Sequence, residues 1–137
     1  MNSTPDAEES ARLKALGLAV IKNEAAAVSD LSSRITDDFV RACRFMLACR
    51  GRIVVTGMGK SGHICGKIAA TLASTGSPAF FVHPGEASHG DLGMITDKDV
   101  VLALSNSGET RELLTIIPII KRLGVPLIAL TGDSDSN

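Results

Sequence analysis

The amino-acid sequence predicts an α/β fold, a three-layer arrangement with a parallel sheet between helices and a helical segment ahead of it. Three observations predict it. Four short runs are apolar almost throughout: Arg52-Ile53-Val54-Val55-Thr56, Pro78 to Val82, Asp99 to Leu104 and Val125 to Leu130. Stretches with apolar residues at helical spacing separate them. Gly-, Ser- and His-rich turns follow the first three runs. Strands that are apolar throughout are covered on both faces, and alternation with helices marks parallel pairing with right-handed crossovers.

From the N-terminus, Ala7 to about Leu31 is rich in Ala, Leu, Glu and Lys, and Leu13, Leu16, Val20, Ala27 and Leu31 recur at helical intervals. Thr36-Asp37-Asp38 is an N-cap with acids in the first turn. A second helix then runs to about Cys49 and stops at Gly51. Residues 1–50 thus read as a helical segment, and 51–137 as the sheet domain. After the first strand, Ser61 to Ser74 reads as a helix with Ile64, Ile68, Ala69 and Leu72 on one face. Glu109 to Leu123 reads as another. Pro118 lies inside it, where it removes a hydrogen bond and is expected to bend the helix. No internal repeat or low-complexity tract is visible.

Composition excludes several classes. The 137 residues carry 14 basic and 15 acidic side chains, a formal charge of -1, so the basic excess of a nucleic-acid binder is missing. No apolar run reaches membrane-spanning length. The N-terminus MNSTPDAEES is acidic and polar, unlike a secretory signal. Cys43, Cys49 and Cys65 are odd in number and lack paired spacing. They read as reduced thiols in a cytoplasmic protein, not as a disulfide framework or zinc cluster.

In parallel α/β sheets, ligands bind beyond the carboxyl ends of the strands. The first such end is Gly57-Met58-Gly59-Lys60-Ser61-Gly62-His63. Its glycines let the backbone turn tightly. The helix start offers free N–H groups to a phosphate, Ser61 a hydroxyl and Lys60 a cation. Gly57, Gly59 and Gly62 also match the dinucleotide pattern G-x-G-x-x-G. That pattern expects an acid at the end of the second strand, where Glu86 is offset into a loop beside two histidines. The second end, Ser105-Asn106-Ser107-Gly108-Glu109-Thr110, crowds three hydroxyls and an amide into one turn. Helix capping by Ser107 accounts for one hydroxyl, while a phosphate monoester accounts for all three. The third end, His83-Pro84-Gly85-Glu86-Ala87-Ser88-His89-Gly90-Asp91, holds two histidines and two acids. His89 suits proton transfer to a sugar oxygen. His83 and His89 do not have a specific metal-ligand spacing.

The strings GMGKSGH (Gly57 to His63), STGSPAFFVHPGEASHGDLGM (Ser74 to Met94) and SNSGET (Ser105 to Thr110) resemble the sugar isomerase (SIS) domain, and within it the arabinose-5-phosphate isomerase family. The resemblance covers nearly the whole chain, most strongly Gly51 to Gly132. It implies a parallel sheet of flavodoxin-like order. It implies interconversion of D-arabinose 5-phosphate and D-ribulose 5-phosphate through an enediol, supplying the lipopolysaccharide sugar Kdo. It makes Ser61, Ser105, Ser107 and Thr110 phosphate holders, with Gly59, Gly62, Asn106 and Gly108 in the same loops. It makes Lys60, His89 and Glu112 active-site residues, and places His83 and the Gly76-Ser77 turn near the sugar. It also implies inhibitory zinc at His83, no required cofactor, and a homo-oligomer, dimer or tetramer. Lys60 would stabilise a developing oxyanion, and Glu112 or His89 would move protons. Their bland alternatives are a solvated loop lysine and a first-turn acid favouring the helix dipole.

The family's sheet has five strands, and this sequence supplies four before Asp133-Ser134-Asp135-Ser136-Asn137. The expectation is therefore a partial SIS domain over 51–137, without the family's later glutamate, its His-Pro-Gly-Gly histidine or its CBS modules. Two readings stay open: an isomerase, and a sensor domain that binds a sugar phosphate without turnover.

Overall fold

The structure, a computed structural model, describes residues 6–87, 90–133 and 135–136. Contacts divide the chain into two units, one ending at Val40 and one beginning at Arg41. In the first, α1 (Ala7–Asp30) is followed by a 3-10 turn, Leu31–Arg34. α1 buries none of its residues. Leu13, Leu16, Val20 and Leu31 are each more than half exposed, so the stripe read in the sequence faces solvent in this chain. α2 (Asp37–Leu47) opens after Thr36, whose Oγ1 accepts the Asp38 N–H at 3.3 Å.

The second unit is built on β1 (Ile53–Gly57), β2 (Ala79–Val82), β3 (Val100–Ser105) and β4 (Leu127–Thr131). They form one parallel sheet in the order β2-β1-β3-β4. Between them lie α3 (Gly59–Ser74), the short α4 (Pro84–Ala87) with a 3-10 turn at Asp91–Met94, and α5 (Arg111–Leu123). The period of two in each strand sends alternate side chains to opposite faces. Ile53, Val55, Leu102 and Leu104 pack with Cys65 and Ala69 of α3. Val54 and Val101 pack with Leu113, Ile116 and Ile120 of α5 and with Leu92 and Ile95. Both faces are covered, which is why the strands read as apolar throughout.

One detail differs from the sequence expectation. The buried residues of α3 are Gly62, Cys65 and Ala69, while Ile64 is 55% exposed. Close approach explains the rotation: a Cβ at Gly62 would lie 2.8 Å from Gly57 O, and one at Gly57 would lie 2.7 Å from Cys65 Sγ. α3 therefore turns its smallest residues toward β1, leaving Ile64 outside. α5 continues through Pro118 as a single helix. Pro118 is exposed, so the Leu114 carbonyl that it leaves without an intrahelical donor can be hydrated. Gly124, at φ 71°, closes the helix in the left-handed region.

At the amino edge of the sheet Asp99 is 2% exposed. Its carboxylate accepts the Arg52 N–H at 2.6 Å, the Thr96 N–H at 2.8 Å and the Thr96 hydroxyl at 3.1 Å. Burial alone would raise its pKa. The bonds from Thr96 and Arg52, with the Arg52 guanidinium 4.0 Å away, outweigh it and hold the carboxyl below its ordinary value. A depressed folded pKa contributes stability above the unfolded value, lost as pH falls through the folded one. Asp99→Asn should therefore cost about 2 kcal/mol at neutral pH by turning one acceptor into a donor that faces donors. Urea midpoints of the two proteins should converge below about pH 4, where the unfolded carboxyl protonates. A gap that stays constant into acid would remove the carboxylate from this account.

Candidate functional site

The strand order makes the site. From β1 the chain passes through α3 to β2 on one side, then returns across β1 to β3 on the other. The order reverses between β1 and β3, and the loops beyond their carboxyl ends diverge there to leave a crevice. Gly57 pairs with Leu104, Thr56 with Val82, and Ser105 with Thr131. The register therefore sets the Gly57–Ser61 turn, the Ser105–Thr110 turn and His83 along one edge, on strands spaced ~4.8 Å apart.

Beyond β1, Met58 is extended and Gly59, at φ 54°, turns the chain into the first residue of α3. Lys60 is exposed, Ser61 half-buried and Gly62 buried. The first turn of α3 contains a lysine and no acid. Beneath the turn, burial pushes the Cys65 thiol up to about 11, so at neutral pH it stays protonated packing.

Beyond β3, Gly108 is left-handed, at φ 71°. Its N–H donates to Ser105 Oγ at 3.1 Å, and Ser105 Oγ lies 2.8 Å from Thr110 Oγ1. Ser107 Oγ accepts the Glu109 N–H at 3.2 Å. α5 starts at Arg111, two residues later than the spacing predicts, with Thr110 and not Ser107 at the N-cap. Thr110 makes no side-chain cap bond, because its hydroxyl is turned to Ser105. The hydroxyls thus shape a loop at the mouth of a helix instead of closing that helix. Asn106 is exposed, and its carbonyl accepts the Gly132 N–H at 3.1 Å, bracing the loop from the end of β4. Glu112 is exposed in the first turn of α5.

Beyond β2, His83 is half-buried. The Gly85 N–H donates to its Nδ1 at 3.2 Å, and the Phe81 ring lies nearly perpendicular to it, with centroids 6.5 Å apart. With Nδ1 accepting, the proton of the neutral ring sits on Nε2. A metal-ligating imidazole instead donates outward from its other nitrogen. Among the described residues no three His, Cys, Asp or Glu side chains are grouped to hold a metal. His89 lies outside the described residues.

Lys60, Ser61, His83, Ser105, Ser107, Thr110 and Glu112 therefore fall at the carboxyl edge of the sheet. Gly76 and Ser77 do not. They join the end of α3 to the start of β2, and in a parallel sheet every helix-to-strand turn lies at the amino edge. There Ser77 lines a groove of about 430 Å³ with Cys43, Met46 and Pro78. Sequence reasoning passed over Thr56. It is 2% exposed, and its hydroxyl donates to Val82 O at 2.9 Å. The sequence shows only a hydroxyl in an otherwise aliphatic run, with no sign of its partner.

Comparison with known proteins follows the same lines. The model of the SIS domain family matches residues 46–137. Arabinose 5-phosphate isomerase KdsD of Pseudomonas aeruginosa is 67% identical over 110 residues, covering 80% of this chain and 34% of that protein. KdsD of Escherichia coli K12 is 55% identical over 121 residues, covering 88% of this chain and 37% of that protein. The chain thus spans little more than a third of the length of these relatives. The structure of E. coli CFT073 c3406 in complex with A5P superposes with a TM-score of 0.87 at 43% identity, over 93% of this chain and 68% of that one.

Proposed function

Since the chain belongs to the SIS domain family, we propose that it forms the phosphate-binding part of an isomerase interconverting D-arabinose 5-phosphate and D-ribulose 5-phosphate. The observation that carries this reading is the Ser105–Thr110 loop. Its hydroxyls are held at the β1/β3 crevice without capping α5, beside a helix start that bears Lys60. The relatives named arabinose 5-phosphate isomerase supply the sugar.

In this reading, Ser105, Ser107, Thr110, Ser61 and the backbone of Gly59, Gly62 and Gly108 hold the phosphate. A base takes the proton from C2 of the open aldose and returns it to C1, while a proton passes from O2 to O1 through the enediol. Lys60 places its charge beside the developing oxyanion. Glu112 and His89 are the groups proposed for proton transfer, and His83 donates through Nε2 to the sugar. The reaction is redox-neutral overall, and we assign it no cofactor. Three free thiols suit a reducing cytoplasm. Among the described residues no helix is long and apolar enough to cross a membrane.

Mixing the protein with D-arabinose 5-phosphate and following ribulose 5-phosphate tests the reading. Turnover supports the isomerase. Binding without turnover supports the sensor reading, and stabilisation by NAD but not by the sugar phosphate sinks both. The exposed apolar residues of α1 further support a homo-oligomer. Light scattering that returns a monomer mass at micromolar concentration would overturn that.

A further inference from the structure

We infer that Thr56 is a positioning residue that fixes His83 as an Nε2–H donor. The inference rests on the isomerase reading only for what that donor acts upon. Four contacts hold His83 and the peptide units on either side of it. The Thr56 hydroxyl donates at 2.9 Å to Val82 O, the carbonyl of the peptide unit that enters His83. The Ala87 N–H donates at 2.9 Å to His83 O, fixing the peptide unit that leaves it. The Gly85 N–H donates at 3.2 Å to Nδ1. The Phe81 and imidazole rings stand nearly perpendicular, at 85°, with centroids 6.5 Å apart.

The last of these polar contacts decides the chemistry. An Nδ1–H tautomer would set two donors face to face, so the neutral ring keeps its proton on Nε2. The first decides whether the chemistry is reproducible. Thr56 and Val82 are paired residues of neighbouring strands. A Thr on a fully buried strand carries a hydroxyl that Val would spare, and desolvating it costs unless it is bonded. Here the bond fastens the last residue of β2 immediately before the chain turns into α4. A shift of the Val82–His83 peptide would rotate His83 relative to the Gly85 N–H, a contact already at the long end of hydrogen bonding. The tautomer would then be mixed.

The test is a long-range proton–nitrogen correlation spectrum of 15N-histidine protein at pH 8, with the His83 signals assigned by their loss in His83→Gln. Wild-type His83 should appear with Nε2 protonated and Nδ1 bare. An Nδ1–H ring in the wild type overturns the inference before any other variant is made. Thr56→Val, nearly isosteric, should give a mixture of tautomers, and Thr56→Ser should restore the wild-type pattern. Kinetically, Thr56→Val should lower kcat ~10-fold with KM within ~2-fold, the split expected of misplacement in the transition state. A wild-type tautomer in folded Thr56→Val overturns the role of Thr56, whatever its activity. Absence of turnover in the wild type counts against the isomerase reading alone, because the spectrum decides the inference without substrate.

Discussion

Lys60→Met is expected to lower kcat for D-arabinose 5-phosphate isomerisation by ~10²–10³, the effect of removing one preorganised charge from a developing oxyanion. The same change should leave the thermal midpoint unchanged or slightly raised. Lys60 is exposed and is the second residue of α3, so no packing is lost. A cation there opposes the helix dipole, which costs about 0.3–1 kcal/mol. α3 has no acid in its first turn to offset it. Stability alone would place Glu or Ser at this position, and a residue that breaks a local rule at the mouth of a crevice is expected to act on something else. Activity and melting measured on one preparation separate the two accounts. A solvated loop lysine would leave kcat within a few-fold. A residue needed for folding would lower the midpoint. Only the functional account predicts a large loss of turnover with no loss of stability.

Much of this arrangement was legible because it is local. The four strands lie within two residues of the apolar runs that announce them. Burial on both faces demands continuous apolarity, and that pattern is visible without tertiary information. The glycines of the Gly57–Gly62 turn were legible as a close approach, although what they approach was not. Gly57 makes room for Cys65 Sγ, and the stripe of α3 is set by that contact and not by its bulkiest residues. Ile64 was misplaced for this reason, since periodicity names a face but small residues can claim it. The turn at Gly76-Ser77 came from family resemblance, and chain direction alone sends it to the opposite edge from Lys60. Thr56 was beyond sequence reasoning in another way. Its partner is fixed by the register of β1 on β2, a pairing across 26 residues that no local pattern encodes.

The hydroxyl loop yields the second large effect through a count of protons. Ser105, Ser107 and Thr110 carry three hydroxyl protons. One is spent between Ser105 and Thr110, and Ser107 spends none because it only accepts from Glu109. Two remain for a ligand, one from Ser107 and one from the Ser105–Thr110 pair. A hydrogen bond to a charged phosphate contributes ~1.5–3 kcal/mol, so Ser107→Ala should weaken sugar-phosphate binding ~10–100-fold with little change in kcat. Ser105→Ala and Thr110→Val share one proton between them. Each alone leaves one hydroxyl whose proton is still free for the ligand and should weaken binding only a few-fold, and the double variant should weaken it by far more than the product of the two. Titration calorimetry of the four proteins with D-arabinose 5-phosphate measures that coupling. Additive losses would mean that each hydroxyl meets the phosphate independently and that the 2.8 Å bond breaks on binding. Unchanged affinity in all of them would return the loop to an ordinary strand-to-helix turn and take the phosphate away from the β1/β3 crevice.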